Sequence, residues 1–371
     1  MSYYSILIHN TKAYNLKLML EVTSIQRKGK VIHDFPYKIR GRQCPHTGIV
    51  NVTRSGQCVF NCSYCYAKGY SWSTKGNSIE VFENTPELLD KELSKIGICP
   101  PLYFCAVTDP FQPVRLVYET SLGSMNVAVK YNVYFRIITK SHYVLKILET
   151  DWFNYKKFHV SFTCESINGG KLRAVSNAPD IKKRLATIEE LKSAGITVTA
   201  RIDPIIAGFT NDFDELSELV EALYSKEIDH ITVSTGTFSP RVFHNLILSI
   251  HESGFSSLVP AIEASYKNYN GRYKLNKQDQ LELYYELDTL LRRYGMKLSS
   301  CLDGVNSADS ICFSPCDDIS KLTIKNHFGQ FEPICNSDCV NDCPDIESPP
   351  CGRAKLMNEY PFKWATLRGT H

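Results

Sequence analysis

Three cysteines share the stretch GQCVFNCSYCYAKGY, residues 56–70, at Cys58, Cys62 and Cys65. Their spacing is C-x3-C-x2-C. Thiolates are soft, charged donors that suit iron–sulfur clusters. Three of them can ligate three irons of a cubane and leave the fourth iron open to a small chelating molecule. Structural zinc prefers paired C-x2-C halves and four ligands, so a zinc site here would have to recruit Cys44 from outside the stretch. Inert cysteines of an ordinary core are the third reading.

A second group closes the chain. Cys301, Cys312, Cys316, Cys335, Cys339, Cys343 and Cys351 include the segment CNSDCVNDCP, spaced C-x3-C-x3-C and rich in Asn, Asp and Pro. A segment with so little apolar content needs a metal staple to fold. Seven thiolates could make one full auxiliary iron–sulfur cluster with three spare thiols, or two clusters with one open position, with zinc or free thiols as the alternatives. The spacing does not select which four ligate.

Periodicity shows which elements must position these thiols. GIVNVTRS (48–55) alternates like a strand and runs straight into the first cysteine loop. TPELLDKELSKIG reads as a Thr-capped helix, PLYFCAVTDP as a buried strand, SLGSMNVAVKYN as a helix and VYFRIITKS as a strand. HYVLKILETDWF is helical, KFHVSFTCES a strand, and DIKKRLATIEELKSAG an amphipathic helix stopped at Gly195. ITVTARIDPII, DFDELSELVEALYSKE and HITVSTGTF continue as strand, helix and strand. This alternation predicts parallel βαβ units in a barrel or a doubly wound sheet. The expected class is α/β: a partial (β/α)6 TIM-type barrel with a cysteine-rich, mostly irregular C-terminal extension. The boundaries fall at 1–47 (N-terminal extension), 48–240 (barrel core), 241–300 (helix and strand continuing the barrel) and 301–371 (cysteine-rich region). Residues 266–276 read as an exposed loop.

Strand alternation groups Asp109 with Val107, Cys105 and Tyr103, Glu165 with Thr163 and Ser161, and Arg201 with Thr199 and Asp203. Each set ends polar at the C-terminal end of its strand, where barrel enzymes place their chemistry. Structural readings stand beside these. Asp109 precedes Pro110 and suits a turn, Lys140 and Arg201 suit a solvated surface, and Glu165 suits a structural pair.

The stretch CVFNCSYCYA, after a strand and before an α/β repeat, resembles the radical S-adenosylmethionine superfamily. The later TDPFQP, TKS, SFTCES and RIDPII are similar to its spore photoproduct lyase-like branch, over about residues 44–240. The resemblance implies that Cys58, Cys62 and Cys65 hold a [4Fe–4S] cluster whose open iron chelates S-adenosylmethionine. Reductive cleavage of that cofactor would yield a 5′-deoxyadenosyl radical that abstracts hydrogen from substrate. It implies that Tyr64 leans on the adenine and that Thr108 and Asp109 receive the amino group. Lys140 and Ser141 would hold the carboxylate, Ser161 and Glu165 the ribose, and Arg201 the carboxylate or a substrate anion. Cys105 becomes a candidate hydrogen donor to a substrate radical. An external electron donor such as flavodoxin or ferredoxin is implied as partner. Many relatives carry a Gly-Gly-Glu-like stretch where this chain has AVTDP, which shifts that work to backbone carbonyls or Thr108. The cysteine-rich tail is a further departure from spore photoproduct lyase.

The chain has 371 residues, 43% hydrophobic and 22% charged, enough for a sizeable core and unlike a disordered chain. A formal charge of +3 does not mark a strong nucleic-acid binder, although a local basic groove is compatible with it. No segment resembles a signal peptide or a membrane span, so the expected location is the cytoplasm. Three functions compete. The first is radical chemistry on nucleic acid, and the second the same chemistry on a peptide, protein or small metabolite assisted by an auxiliary cluster. The third is a non-catalytic, zinc-stabilised binding module.

Overall fold

The computed structural model describes residues 4–6, 20–34, 47–73, 78–301 and 323–333. Seven parallel strands form its central sheet: β1 Gly48–Val50, β2 Leu102–Phe104, β3 Phe135–Thr139, β4 Phe158–Thr163, β5 Val198–Ile202, β6 His230–Val233 and β7 Lys297–Ser300. They neighbour one another in chain order, and His33–Asp34 pairs antiparallel on the outer side of β1. The sheet is the expected partial barrel with one parallel strand beyond six. That seventh strand comes from the 241–300 continuation.

Helices connect the strands: α1 Thr85–Lys95, α2 Arg115–Lys130, α3 Gly169–Val175, α4 Ile181–Ser193, α5 Phe213–Tyr224, α6 Pro240–Ile250, α7 Val259–Ser265 and α8 Lys277–Arg293. Local chemistry fixes their starts. The side chains of Asp180, Asp212, Ser239 and Asn276 each accept a backbone N–H in the first turn of α4, α5, α6 and α8, which satisfies donors the helix cannot.

Strand alternation sorts the core. Phe135, Ile137, Phe158, Val160, Phe162, Val198, Ala200, Ile231 and Val233 share one apolar cluster with Leu93, Met125, Ile188, Leu219 and Leu287 of the helices. Each such side chain contributes about 1.5–3 kcal/mol by leaving water. The opposite face is buried but polar, in three layers set by register. Tyr103, Arg136 and His159 lie side by side, then Ile138, Ser161 and Thr199, then Thr163, Arg201, Thr232 and Ser299. Closed barrels usually fill such layers with branched apolar residues.

Several elements differ from the sequence expectation. HYVLKILE is a 3₁₀ helix, His142–Glu149, begun by Ser141 accepting from the Tyr143 N–H. HITVSTGTF breaks at Gly236: β6 ends at Val233, and Thr237–Phe238 pairs in another sheet. Residues 266–276 are no loop. Tyr266–Tyr269 and Arg272–Leu275 form a hairpin whose turn holds Asn270 and Gly271 at positive φ, the chemistry such turns require. The hairpin's strands are mostly polar and exposed, with only Tyr266, Tyr273 and Leu275 turned towards the core, which hid its period.

Candidate functional site

The cysteine loop leaves β1 and crosses the C-terminal end of the sheet. Asn61 adopts φ 45° between the first two cysteines, and Gly56 adopts φ 80° ahead of them; Asn and Gly tolerate this left-handed region. Gln112, fully buried, pins the loop from outside. Its Oε1 accepts from Val59 N at 2.8 Å, and its Nε2 donates to Gln57 O at 3.3 Å. A second clamp comes from the end of α3. Ser63 N donates to Val175 O at 2.8 Å, and Asn177 N donates to Phe60 O at 2.8 Å.

The three thiols share one electrostatic environment. Burial pushes the Cys58 thiol well up, and the negative charges of Asp109 and Cys62 push the same way. Burial also raises Cys65, again with Cys62 beside it. Each sulfur has a hydrogen-bond partner: the Phe60 and Asp109 backbone donate to Cys58, the Ala67 backbone donates to Cys65, and the Ser176 hydroxyl stands 3.2 Å from Cys62, where either group can be the donor. The Cys58 and Cys65 thiols, raised by burial yet supplied with backbone donors that favour the anion, suit a cationic group that takes over their charge. The donor set therefore fits a thiolate-ligated cluster. Among the described residues, no three His, Cys, Asp or Glu side chains converge as ligands of a single metal ion.

Tyr64, Lys140 and Glu165 meet beside this loop. The Tyr64 hydroxyl donates to Glu165 Oε1, and Lys140 Nζ lies 2.9 Å from the same oxygen and 5.5 Å from the Tyr64 ring centre. Arg184, fully buried, donates to Glu165 Oε2 and to the carbonyls of Thr163 at 2.8 Å and Pro179 at 2.7 Å. Burial opposes the charge on Glu165, but the Arg184 guanidinium and the Lys140 ammonium override it and hold the carboxyl down at about 2. Burial likewise works against the Lys140 ammonium, and Glu165 outweighs it and raises the group. The cluster of side chains carries two cations and one carboxylate, leaving a net positive charge at the mouth.

The remaining candidates fall into smaller groups. Asp109 accepts from Phe111 N and Lys140 N, each at 2.8 Å, and from the Thr139 hydroxyl at 2.8 and 3.0 Å. Burial still raises its carboxyl above the ordinary range. Its side chain thus ties the loop after β2 to the end of β3 and sets where Lys140 begins. Thr108 and Thr53 hydroxyls stand 2.9 Å apart. Ser161 accepts from Thr199 at 3.0 Å in the middle layer, and Arg201 pairs with Asp203 at 2.6 Å above it. Ser141 is buried at the start of its 3₁₀ helix.

Cys105 departs from the face reading. β2 ends at Phe104, and Cys105 turns through φ 57°, so it shares no strand face with Asp109. Its side chain packs with Val52, Ile79, Val81 and Val117, and burial pushes its thiol up to about 11. Cys164 is likewise past its strand and inside the helix-side core. Cys301 follows β7 and donates its N–H to Val233 O at 2.8 Å. Cys312, Cys316, Cys335, Cys339, Cys343 and Cys351, with Cys44, lie outside the described residues.

Arg184, Gln112 and Ser176 were not read from the sequence as site residues. Arg184 left a signal, since it interrupts the buried stripe Ile181, Ile188 and Leu191 of α4. His159 and Arg136 also sit at apolar-face-opposed positions that alternation exposes. Gln112 and Ser176 left none. A cavity of about 420 Å³, lined by Phe60, Pro113, His142, Tyr143, Asn177 and Lys183 among others, adjoins the loop at Phe60. Among the described residues no helix is long and apolar enough to cross a membrane.

No protein-family model matches the chain, and no curated protein matches it. Solved structures do. A cysteine-to-serine mutant of spore photoproduct lyase aligns at TM-score 0.54 and 16% identity, over 75% of this chain and 81% of that one. A tyrosine-to-phenylalanine mutant of the same enzyme aligns at TM-score 0.52 and 15% identity over the same shares. A double mutant with bound AdoMet and dinucleoside spore photoproduct aligns at TM-score 0.50 and 16% identity, over 68% and 75%. The chain has the fold of spore photoproduct lyase.

Proposed function

We propose that this chain is a radical S-adenosylmethionine enzyme. The observation that carries the reading is the set of three thiols, each with its own hydrogen-bond partner, at the C-terminal end of a sheet with the spore photoproduct lyase fold. Cys58, Cys62 and Cys65 would hold a [4Fe–4S] cluster. When bound, the cluster supplies an electron and S-adenosylmethionine supplies the hydrogen-abstracting 5′-deoxyadenosyl group.

The chain's own residues bind and orient. Tyr64 presents its ring to the adenine while Glu165 fixes its hydroxyl. Lys140 takes the cofactor carboxylate, and Glu165, held ionised by Arg184, accepts from the ribose together with Ser161. Thr108 and the loop carbonyls around it receive the ammonium, and Asp109 and Ser141 keep Lys140 and its loop in place. Arg201 answers the carboxylate or a substrate anion. Cys105, packed among Val52, Ile79, Val81 and Val117 behind the turn after β2, is not assigned the role of hydrogen donor. In this reading the barrel core spans 48–240, the extensions keep the bounds 1–47, 241–300 and 301–371, and the enzyme works in the cytoplasm. Cys301 and the six tail cysteines would carry an auxiliary iron–sulfur cluster, and flavodoxin or ferredoxin would supply electrons.

For the substrate we favour nucleic acid, supported by the likeness to a protein whose structure holds a dinucleoside lesion beside AdoMet. Anaerobic reconstitution, then S-adenosylmethionine and dithionite, should release 5′-deoxyadenosine; the Cys58→Ala, Cys62→Ala and Cys65→Ala variants should release none. A reconstituted, folded wild type that yields no 5′-deoxyadenosine sinks the enzymatic reading and leaves the zinc-stabilised module.

A further inference from the structure

The end of α3 meets the cysteine loop in a way that the cofactor assignment does not explain. Ser176 follows α3 in extended conformation, φ −156° and ψ 146°. The residues on either side of it are tied to the loop, Val175 O by Ser63 N and Asn177 N by Phe60 O. Ser176 is therefore held across the middle of the loop by two backbone bonds, with its side chain facing Cys62. Both residues are buried, Ser176 at 6% and Cys62 at 9% exposure.

The hydroxyl has a defined direction. Ser176 Oγ accepts from Ala178 N at 3.1 Å, which occupies one lone pair and leaves its own proton to point elsewhere. Cys62 Sγ lies 3.2 Å away. A ligating thiolate has no proton and only accepts, so the hydroxyl is the donor. Cys58 and Cys65 receive peptide N–H groups, which follow from the chain's path. Cys62 instead receives a donor that one side chain encodes.

We propose that the Ser176 hydroxyl, by donating to the Cys62 sulfur, raises the reduction potential of the cluster held by Cys58, Cys62 and Cys65; this rests on the cluster assignment proposed above. Reduction adds negative charge that spreads over iron and sulfur. The positive end of an O–H dipole at a ligating sulfur favours the reduced form, and hydrogen bonds to sulfur are a recognised lever on such potentials. Burial strengthens the effect because little water competes. Ser176 is thus a positioning and tuning residue that acts through Cys62 and touches no substrate.

The test is an EPR-monitored redox titration of the full chain, loaded and handled anaerobically. Ser176→Ala should keep its iron and its circular dichroism, while its midpoint moves to more negative potential. A tenfold change in the oxidised-to-reduced ratio, about 59 mV for one electron, is the expected size. Ser176→Thr retains the hydroxyl and should restore the wild-type midpoint. Ser63→Ala removes a hydroxyl from the same junction, bonded to Val175 O rather than to a thiol, and should leave the midpoint in place. If Ser176→Ala does not fold, Ser176→Gly removes the same hydroxyl and carries the same expectation. Full iron with an unmoved midpoint in the hydroxyl-free variant, or an equal shift in Ser63→Ala, overturns the proposal. A wild type that binds no iron instead overturns the cluster assignment itself.

Discussion

Replacing Arg184 with Met should be among the most damaging single changes away from the cysteines. Arg184 is fully buried and bonds Glu165 and two backbone carbonyls, those of Thr163 and Pro179. Its loss leaves a carboxylate only 2% exposed with Lys140 as its remaining cation, and leaves both carbonyls without that donor. Breaking a buried pair from one side costs about 3–5 kcal/mol. The proton linkage gives a similar size. Glu165 is held at about 2 against about 4.3 in an unfolded chain, which is worth about 3 kcal/mol at neutral pH. Because the folded value is depressed, this stability is complete above about pH 4.3 and drains away as pH falls towards 2. The assay is anaerobic urea unfolding of the iron-loaded protein, followed by circular dichroism, in a double-mutant cycle. Arg184→Met should lose about 3–5 kcal/mol. Glu165→Gln should also destabilise, since it leaves Arg184 and Lys140 as close, unneutralised cations. The double variant should lose less than the sum, with a coupling of about 2–3 kcal/mol. Single losses below about 1 kcal/mol that simply add would refute the network.

Three further outcomes follow from particular contacts. Gln112→Leu removes the partners of Val59 N and Gln57 O; unfolding should shift by about 2–4 kcal/mol, and iron per chain after reconstitution should fall. Burial, helped by the positive charges of Arg136, His230 and Arg201, pushes His159 down to about 3, so only the unfolded chain takes up this proton between about pH 6.5 and 3. Stability at pH 4.5 should accordingly be roughly 3 kcal/mol lower than above pH 6.5, and His159→Gln should remove about one proton from the measured pH slope. Gly208 sits at φ +79°, where a Cβ would stand 2.7 Å from Ile262 N and 2.8 Å from Ala261 C. Gly208→Ala should lower the melting temperature by an amount equivalent to about 1–3 kcal/mol, with no change if the loop after β5 could simply shift.

Local pattern decided much of this protein. The C-x3-C-x2-C spacing fixed that three thiols crowd one short loop. Alternation along VYFRIITKS and KFHVSFTCES put Phe135, Ile137, Phe158 and Val160 against the helices, and the caps at Asp180 and Asp212 set where α4 and α5 begin. These features depend on residues a few positions apart, so a linear reading reaches them. The tertiary structure alone decided which side chains face the thiols. Ser176 lies 114 positions from Cys62, and Glu165 lies 101 from Tyr64. No periodicity links such pairs; only the packing of successive βα units brings the ends of their strands and helices to one rim. It also decided that Asp109 serves as a tie, because β2 stops at Phe104 and the turn through Cys105 carries the carboxylate to Thr139 and Lys140. A strand's end is set by its neighbours' hydrogen bonds, which the residues of that strand do not encode by themselves.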